Sequence, residues 1–233
     1  MGALREAAAH AFVVDLENPE LAADERRHLE RVLRLRAGET VTVSDGAGRW
    51  RPCRFTTSGL EPCGDIVAEE RGTPSVAVGI ALTKGERLDW AVQKLTELGV
   101  DRVVPFTAER SVVRWDGARS AHHVDRLRRI ARQAAMQSRR TWLPEVDDLR
   151  AFAEAAAIPG AALADPGGHR PSLDRPVVLV GPEGGWAQDE AARGLPVVGL
   201  GPTVLRSETA AVAAGTLLCA LRAGVIGPGG EPR

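Results

Sequence analysis

Beyond Pro74 the chain alternates between short, wholly apolar runs and longer segments whose apolar residues recur three and four apart. "VAVGIAL", "DRVVPF", "AALAD", "PVVLVG" and "PVVGLG" read as strands. A strand with no polar alternation has no face for solvent and must be covered on both sides. The intervening segments supply the cover. "ERLDWAVQKLTELGV" is predicted as a helix with Leu88, Val92, Leu95 and Leu98 inward and Gly99 as its C-cap. "AHHVDRLRRIARQAAMQSRR" places Val124, Leu127, Ile130 and Ala134 on one face. A short helix is expected around "DLRAFAEAAA", and a final one in "SETAAVAAGTLLCALRAG", with Ser207 as N-cap, Glu208 at the positive end of the dipole and Gly224 as the stop. This alternation predicts an α/β fold with a largely parallel sheet.

The first 72 residues read differently. "AFVVDL", "TVTVSDG", "RWRPCRF" and "CGDIVAE" are strand-like, and Asp45-Gly46 marks a turn. "ADERRHLERVLRLRAGE" reads as one helix ending at Gly38, with Leu29, Val32 and Leu33 on its buried side. The pattern is a small β-barrel with one helix. Polar residues, Gly and Pro around Glu70 to Pro74 mark the division, so residues 1–72 and 73–226 are expected to form two domains, with a flexible tail over 227–233.

Composition removes several function classes. No apolar run approaches the ~20 residues of a membrane span, and the first residues do not resemble a signal peptide, so a cytoplasmic location is expected. Cys53, Cys63 and Cys219 are odd in number and lack metal or redox spacing, and His10, His28, His122, His123 and His169 show no ligand pattern; no metal is expected. The net charge of −1 argues against a strongly basic nucleic-acid binder, yet ten arginines fall between Arg102 and Arg140 against Glu109, Asp116 and Asp125. Arginine's planar fork suits phosphate and base edges, so this stretch is a candidate surface for nucleic acid.

Three apolar strands in the last third end in loops rich in glycine and proline: "ALADPGG", "VVLVGPEGG" and "VVGLGPTVLRSETA". In parallel sheets ligands bind beyond the carboxyl ends of strands, and glycine lets the backbone approach them closely. Neither GxGxxG nor GxxxxGK[ST] occurs, which argues against a dinucleotide or a nucleoside triphosphate. A rigid pocket of main-chain groups, suited to an adenosine-like cofactor, is the expectation.

GPEGG followed by Glu190, then LGPTVLRSETA at 200–210, resembles the SPOUT methyltransferases and, within them, the ribosomal RNA small subunit methyltransferase E family. "RHLERVLRLRAGE" and "VSDGAGR" are similar to that family's PUA-like domain. "LTKGERLDWAVQKLTELGV", the following "ERS" and "QSRRTWLP" resemble its catalytic domain. The chain departs from the pattern at Ala187, where Ser or Thr is common, at Met136 in place of Glu, and at His10 near a position commonly held by Arg. The resemblance implies a PUA-like barrel followed by a SPOUT-type parallel sheet with a C-terminal trefoil knot. It implies S-adenosylmethionine as cofactor, homodimerisation, and methylation of N3 of a uridine in 16S rRNA of the small ribosomal subunit.

Carried over residue by residue, the cofactor walls are Leu163, Ala164, Asp165 and Pro166; Val180, Gly181, Pro182, Glu183, Gly184 and Gly185; and Leu200, Gly201, Val204, Leu205 and Arg206. Arg206 is expected either to stabilise an anionic uracil or to bridge to Glu208. Glu183 is expected either to orient substrate and take its proton or to cap the following helix. Lys84, Arg110, Arg139 and Arg140 are the candidate substrate contacts. Two alternatives remain at this point: a related enzyme acting on another RNA position, and a non-catalytic RNA-binding assembly factor.

Overall fold

The computed structural model describes residues 2–31, 33–191 and 193–227. It forms two compact units, one of residues 1–71 with 132–143 and one of residues 72–131 with 144–233. The segment Arg132–Leu143 thus groups with the N-terminal residues, although the sequence pattern assigns it to the second domain.

The first unit begins with α1 (Gly2–Glu6), β1 (Ala9–Phe12) and α2 (Ala23–Arg31). It continues with β2 (Thr40–Ser44), β3 (Arg49–Phe55), β4 (Leu60–Pro62) and β5 (Val67–Ala68). The strands form one sheet in the order β1-β2-β3-β4, with β5 also on β3; only β1 and β2 are parallel. Leu29 from α2, Val41, Val43, Cys53 and Phe55 fill its core. α2 ends at Arg31, earlier than the run to Gly38 expected from periodicity, and Leu33 is exposed; Val32 lies outside the described residues. Arg34 has φ 53°, outside the helical region.

Arg132–Leu143 belongs here for polar reasons. The Arg132 guanidinium pairs with the buried Glu25 at 2.6 Å and donates to the Phe12 carbonyl. Trp142 Nε1 donates to the Glu69 carbonyl, and Thr141 Oγ1 donates to the Glu69 carboxylate. His10, 3% exposed, bonds Thr42 Oγ1 through Nδ1 and the Arg140 carbonyl through Nε2.

The second unit contains β6 (Ala77–Ala81), α3 (Arg87–Leu98), β7 (Arg102–Thr107) and most of α4 (Gly117–Gln137), followed by β8 (Glu145–Val146) and β9 (Arg150–Ala151). Then come α5 (Phe152–Ala156), β10 (Ala161–His169), β11 (Val177–Val180), α6 (Gln188–Ala191), β12 (Val197–Val198) and α7 (Ser207–Arg222). All strand pairings are parallel, in the order β12-β10-β11-β6-β7-β8 with β9 also on β7. The unbroken apolar strands are therefore buried on both faces, as their patterning predicts. Val76, Val78 and Ile80 pack with Leu88, Val92 and Leu95 of α3 and with Ala211, Ala214 and Leu218 of α7. Ala77, Ala81, Phe106 and Leu179 pack on the other side with Phe152 and Ala155 of α5. Arg222, at the end of α7, pairs with Asp101 and donates to the Gly99 carbonyl at 2.8 Å. Gly99 caps α3 with φ 95°.

The chain runs from β6 outward to β9, then crosses to the far side for β10, β11 and β12. β11 lies against β6, so the strand order reverses between them. Such a reversal opens a crevice beyond the carboxyl ends of the strands.

One consequence is measurable in the first unit. Burial lowers the His10 imidazole from 6.5 to about 4; the Arg139 charge acts the same way, and the bond to the Arg140 carbonyl opposes it. The unfolded chain therefore binds a proton that the folded chain refuses between those values, and stability falls as pH drops through that window. Urea unfolding is expected to lose on the order of 3 kcal/mol from this group between neutral pH and the folded value. His10→Gln should flatten that part of the profile, and an unchanged slope in the variant would refute the assignment.

Candidate functional site

Three loops at the carboxyl ends of β10, β11 and β12 surround a cavity of about 360 Å³. Its wall contains Ala164, Asp165 and Pro166; Val180, Gly181, Pro182, Glu183 and Gly185; and Leu200, Gly201, Val204, Leu205 and Arg206. Two expected wall residues lie elsewhere. Leu163 is buried in the core below, because its side chain alternates to the α5 face of the sheet. Gly184 faces away from the cavity towards Arg110, whose Nη1 donates to the Gly184 carbonyl at 3.0 Å. Trp186, Thr203, Ser207 and Ala210 also line the cavity, beyond the wall residues carried over from the resemblance.

The first loop is a bulge within a strand. Ala164 and His169 of β10 both pair with Val198 of β12, so residues 165–168 are extruded. The extrusion places Asp165 and Pro166 on the cavity wall. Gly168 lies against the backbone of Val198 and Gly199, where a Cβ would collide; a Cβ on Gly199 would stand 2.7 Å from the Gly168 carbonyl oxygen. The Gly199 amide donates to the His169 carbonyl at 2.8 Å.

The second loop follows β11. Its turn closes through the Gly185 amide and the Pro182 carbonyl at 2.9 Å. Trp186 then folds back over Gly181 and stacks on Phe106 at a centroid distance of 6.2 Å. Its indole Nε1 donates to the Ala164 carbonyl at 3.0 Å, tying the second loop to the first. Glu183 does not cap α6. The buried Glu190 does so: Oε2 accepts from the Ala187 amide at 3.0 Å and Oε1 from the Glu109 amide at 2.8 Å. Glu190 stands three residues beyond Ala187, the spacing at which a carboxylate returns to the start of its own helix. Ala187 therefore loses a side-chain cap without leaving its amide unpaired.

The third loop leads into α7. Arg206, not Ser207, holds the N-cap position, with φ −68° and ψ 154°. Ser207 is the first helical residue, and its Oγ donates to the Gly181 carbonyl at 2.8 Å, joining the third loop to the second. Arg206 is exposed at the cavity wall and has no ion pair among the described residues, so the expected alternative of a bridge to Glu208 is not formed. Glu208 instead lies near Arg87, which also pairs with Glu183.

The arginine-rich stretch is largely engaged within the protein. Arg102 is paired with Asp147, Arg126 with Asp89, Arg128 with Asp125 and Asp148, and Arg132 with Glu25. Arg139 donates to the Leu4 carbonyl, and it and Arg140 belong to the first unit. Arg114, Arg119 and Lys84 are exposed and have no ion pair among the described residues. Also among the described residues, no group of His, Cys, Asp and Glu is arranged to hold a metal, no helix is long and apolar enough to cross a membrane, and no disulfide joins Cys53, Cys63 or Cys219.

A parallel sheet ending in such a cavity defines a class, and the comparisons agree on it. The family described as RNA methyltransferase domain matches residues 70–219, and that described as RNA methyltransferase PUA domain matches residues 21–61. The chain belongs to the ribosomal RNA small subunit methyltransferase E family. It is 37% identical over 218 residues to that enzyme from Mycobacterium bovis, covering 82% of each chain. It is 30% identical over 223 residues to the one from Bacillus subtilis, covering 82% of this chain and 85% of the relative. Among solved structures, a ribosomal RNA small subunit methyltransferase E from Neisseria gonorrhoeae bound to S-adenosyl methionine superposes with a TM-score of 0.75 at 28% identity, covering 92% of this chain and 97% of that one.

Glu190 provides a test of how the loops are held. Glu190→Ala removes the acceptor for two backbone amides and is expected to cost about 2 kcal/mol or more in urea unfolding. Glu190→Gln, which keeps one acceptor oxygen, should fall between. An alanine variant with the wild-type midpoint would show that the carboxylate does not hold the loop.

Proposed function

We propose that this chain transfers the methyl group of S-adenosylmethionine to N3 of a uridine in 16S rRNA, working as a cytoplasmic homodimer on the small ribosomal subunit. The observation that carries the reading is the cavity itself, built from main chain at the three loops and flanked by Arg206. Its volume of about 360 Å³ lies in the range of small-molecule sites. Its charged wall residues are Asp165, Glu183 and Arg206, an excess of one negative charge that suits a cationic sulfonium ligand. When bound, that ligand supplies an already activated methyl group.

The remaining chemistry falls to the protein. Uracil N3 carries a proton at neutral pH, so the base must be aligned, its proton accepted and the resulting anion stabilised. Arg206, exposed at the wall and without an ion pair among the described residues, is the proposed stabilising cation. Glu183, at the same wall, is proposed to orient the base and accept its proton. The paired edge of a duplex uridine is occupied, so the target is presented unpaired or flipped out. Lys84, Arg110, Arg139 and Arg140 are the proposed substrate contacts, and the exposed, unpaired Arg114 and Arg119 join them for phosphate. Residues 1–72 are proposed as the PUA-like RNA-binding domain and 73–226 as the catalytic domain, with its C-terminal loops threaded as a trefoil knot.

Nucleoside mass spectrometry of ribosomal RNA from a deletion strain is expected to lose N3-methyluridine and regain it on complementation; an unchanged level would overturn the substrate assignment. Complementing purified small subunits with Arg206→Ala should lower kcat/KM by about 10²- to 10³-fold, the scale of losing a charge-stabilising group. Unimpaired turnover in that variant would remove Arg206 from the mechanism.

A further inference from the structure

We propose that Arg87 is a positioning residue for this reaction: it holds the Glu183 carboxylate at the cavity wall, and Glu208 is the second seat that lets it release Glu183 to the substrate. The proposal rests on the role given to Glu183 above.

Arg87 is the first residue of α3 and lies between two carboxylates from different elements. Its Nη1 stands 2.6 Å from Glu183 Oε1 in the loop after β11, and its Nε stands 3.7 Å from Glu208 Oε1 in the first turn of α7. One guanidinium thus serves two anions, and a fork of five donors can do so from two sides. Glu183 and Arg87 are each about two-fifths exposed, so their pair contributes little to folding stability. Its effect is on position. Glu183 has no other ion pair among the described residues, so Arg87 fixes where that carboxylate stands relative to the cavity.

The second seat is identified by an unsatisfied atom. Glu208 Oε2 is buried and has no hydrogen-bond partner among the described residues. Buried acceptors rarely go unpaired, and an exception calls for a physical reason. A small turn of the Arg87 fork towards Glu208 would satisfy both carboxylate oxygens and free Glu183. The present arrangement and the turned one exchange one charge-assisted bond for another. Arg87 can therefore yield Glu183 to an incoming base without leaving its own charge unpaired. The two seats are on α7 and the β11 loop, the same two segments that Ser207 joins at Gly181, so the exchange takes place on a fixed frame.

The test is a double-mutant cycle on the full-length protein, with methyl transfer measured on small ribosomal subunits from a strain lacking the enzyme. Thermal unfolding and calorimetric titration with S-adenosylmethionine serve as controls. Arg87→Gln is expected to lower kcat about tenfold while the cofactor Kd stays within about twofold of wild type. Arg87→Lys should recover part of the loss, and Glu208→Gln should lower kcat in the same direction. The combination Arg87→Gln/Glu183→Gln should be no slower than Glu183→Gln alone, because Arg87 acts through Glu183. Additive losses beside an impaired Glu183→Gln would overturn the positioning role and leave Glu183 in place. Wild-type turnover in Glu183→Gln would instead overturn the reading of Glu183 and this proposal with it. A loss in Arg87→Gln matched by a lower unfolding temperature, or by weakened cofactor binding, would assign Arg87 to structure and overturn the proposal.

Discussion

The close approach of two backbones, Gly168 against Val198 and Gly199, governs the geometry at the carboxyl end of the sheet. Parallel strands normally advance together, one residue against one. Here β10 pairs twice with Val198 and must push four residues out of the ladder. The extrusion is possible because neither glycine has a side chain to hold the strands apart. Any larger residue at either position would separate the strands, and Asp165 and Pro166 would then leave the cavity wall. The wall is thus set by a packing constraint below it.

The same coupling runs through Trp186. Its ring stacks on Phe106 and packs at a tilt against Phe152 on the α5 face, while its indole N–H reaches the Ala164 carbonyl just before the bulge. Ser207 adds the third connection by donating to Gly181. Each of the three loops is therefore bonded to another through one side chain and one carbonyl. Polar groups at a cavity rim that already have partners cannot relax to suit any ligand, so the shape is set in advance. Pre-set shape lowers the ordering cost of binding. Arg87 is different: it is partly exposed and shared between two anions, one of them Glu183 on the cavity wall.

Element types and the two-part organisation were legible because they depend on periodicity. Unbroken apolar runs of strand length, bounded by turn residues, favour buried strands, and spacing of three and four residues favours a helix with one face inward. The cavity loops were legible through a resemblance together with a clear reason for glycine and proline. Features set by distant contacts were not. The bulge in β10 depends on a strand thirty residues away. The role of Glu190 depends on the Glu109 amide, eighty-one residues away in sequence. Ser207 has the composition of an N-cap, yet it becomes the first helical residue because Gly181 offers its hydroxyl a carbonyl. The run through Leu33 has helical spacing but no core to meet, and tertiary burial overrides propensity there.

The arginines show most clearly why counting charges misleads. Ten of them in thirty-nine residues look like an RNA surface, but carboxylates from the β8–β9 connection, α3 and α2 neutralise several of them. Asp147 alone accepts from Arg102 and Arg150 while nearly fully buried, and both guanidinia hold its carboxyl below the usual carboxylate value although burial opposes them. Such pairs bind strands together and have little field left for a phosphate. What distinguishes a binding arginine from a structural one is therefore the absence of an acid within reach rather than its place in a basic run. By that criterion Arg206 stands apart from most of the cluster: it lies outside the basic stretch, at the cavity wall where three strand ends converge, with no ion pair among the described residues. A net charge of −1 is thus a poor guide to the site, because pairing is decided residue by residue rather than by the sum.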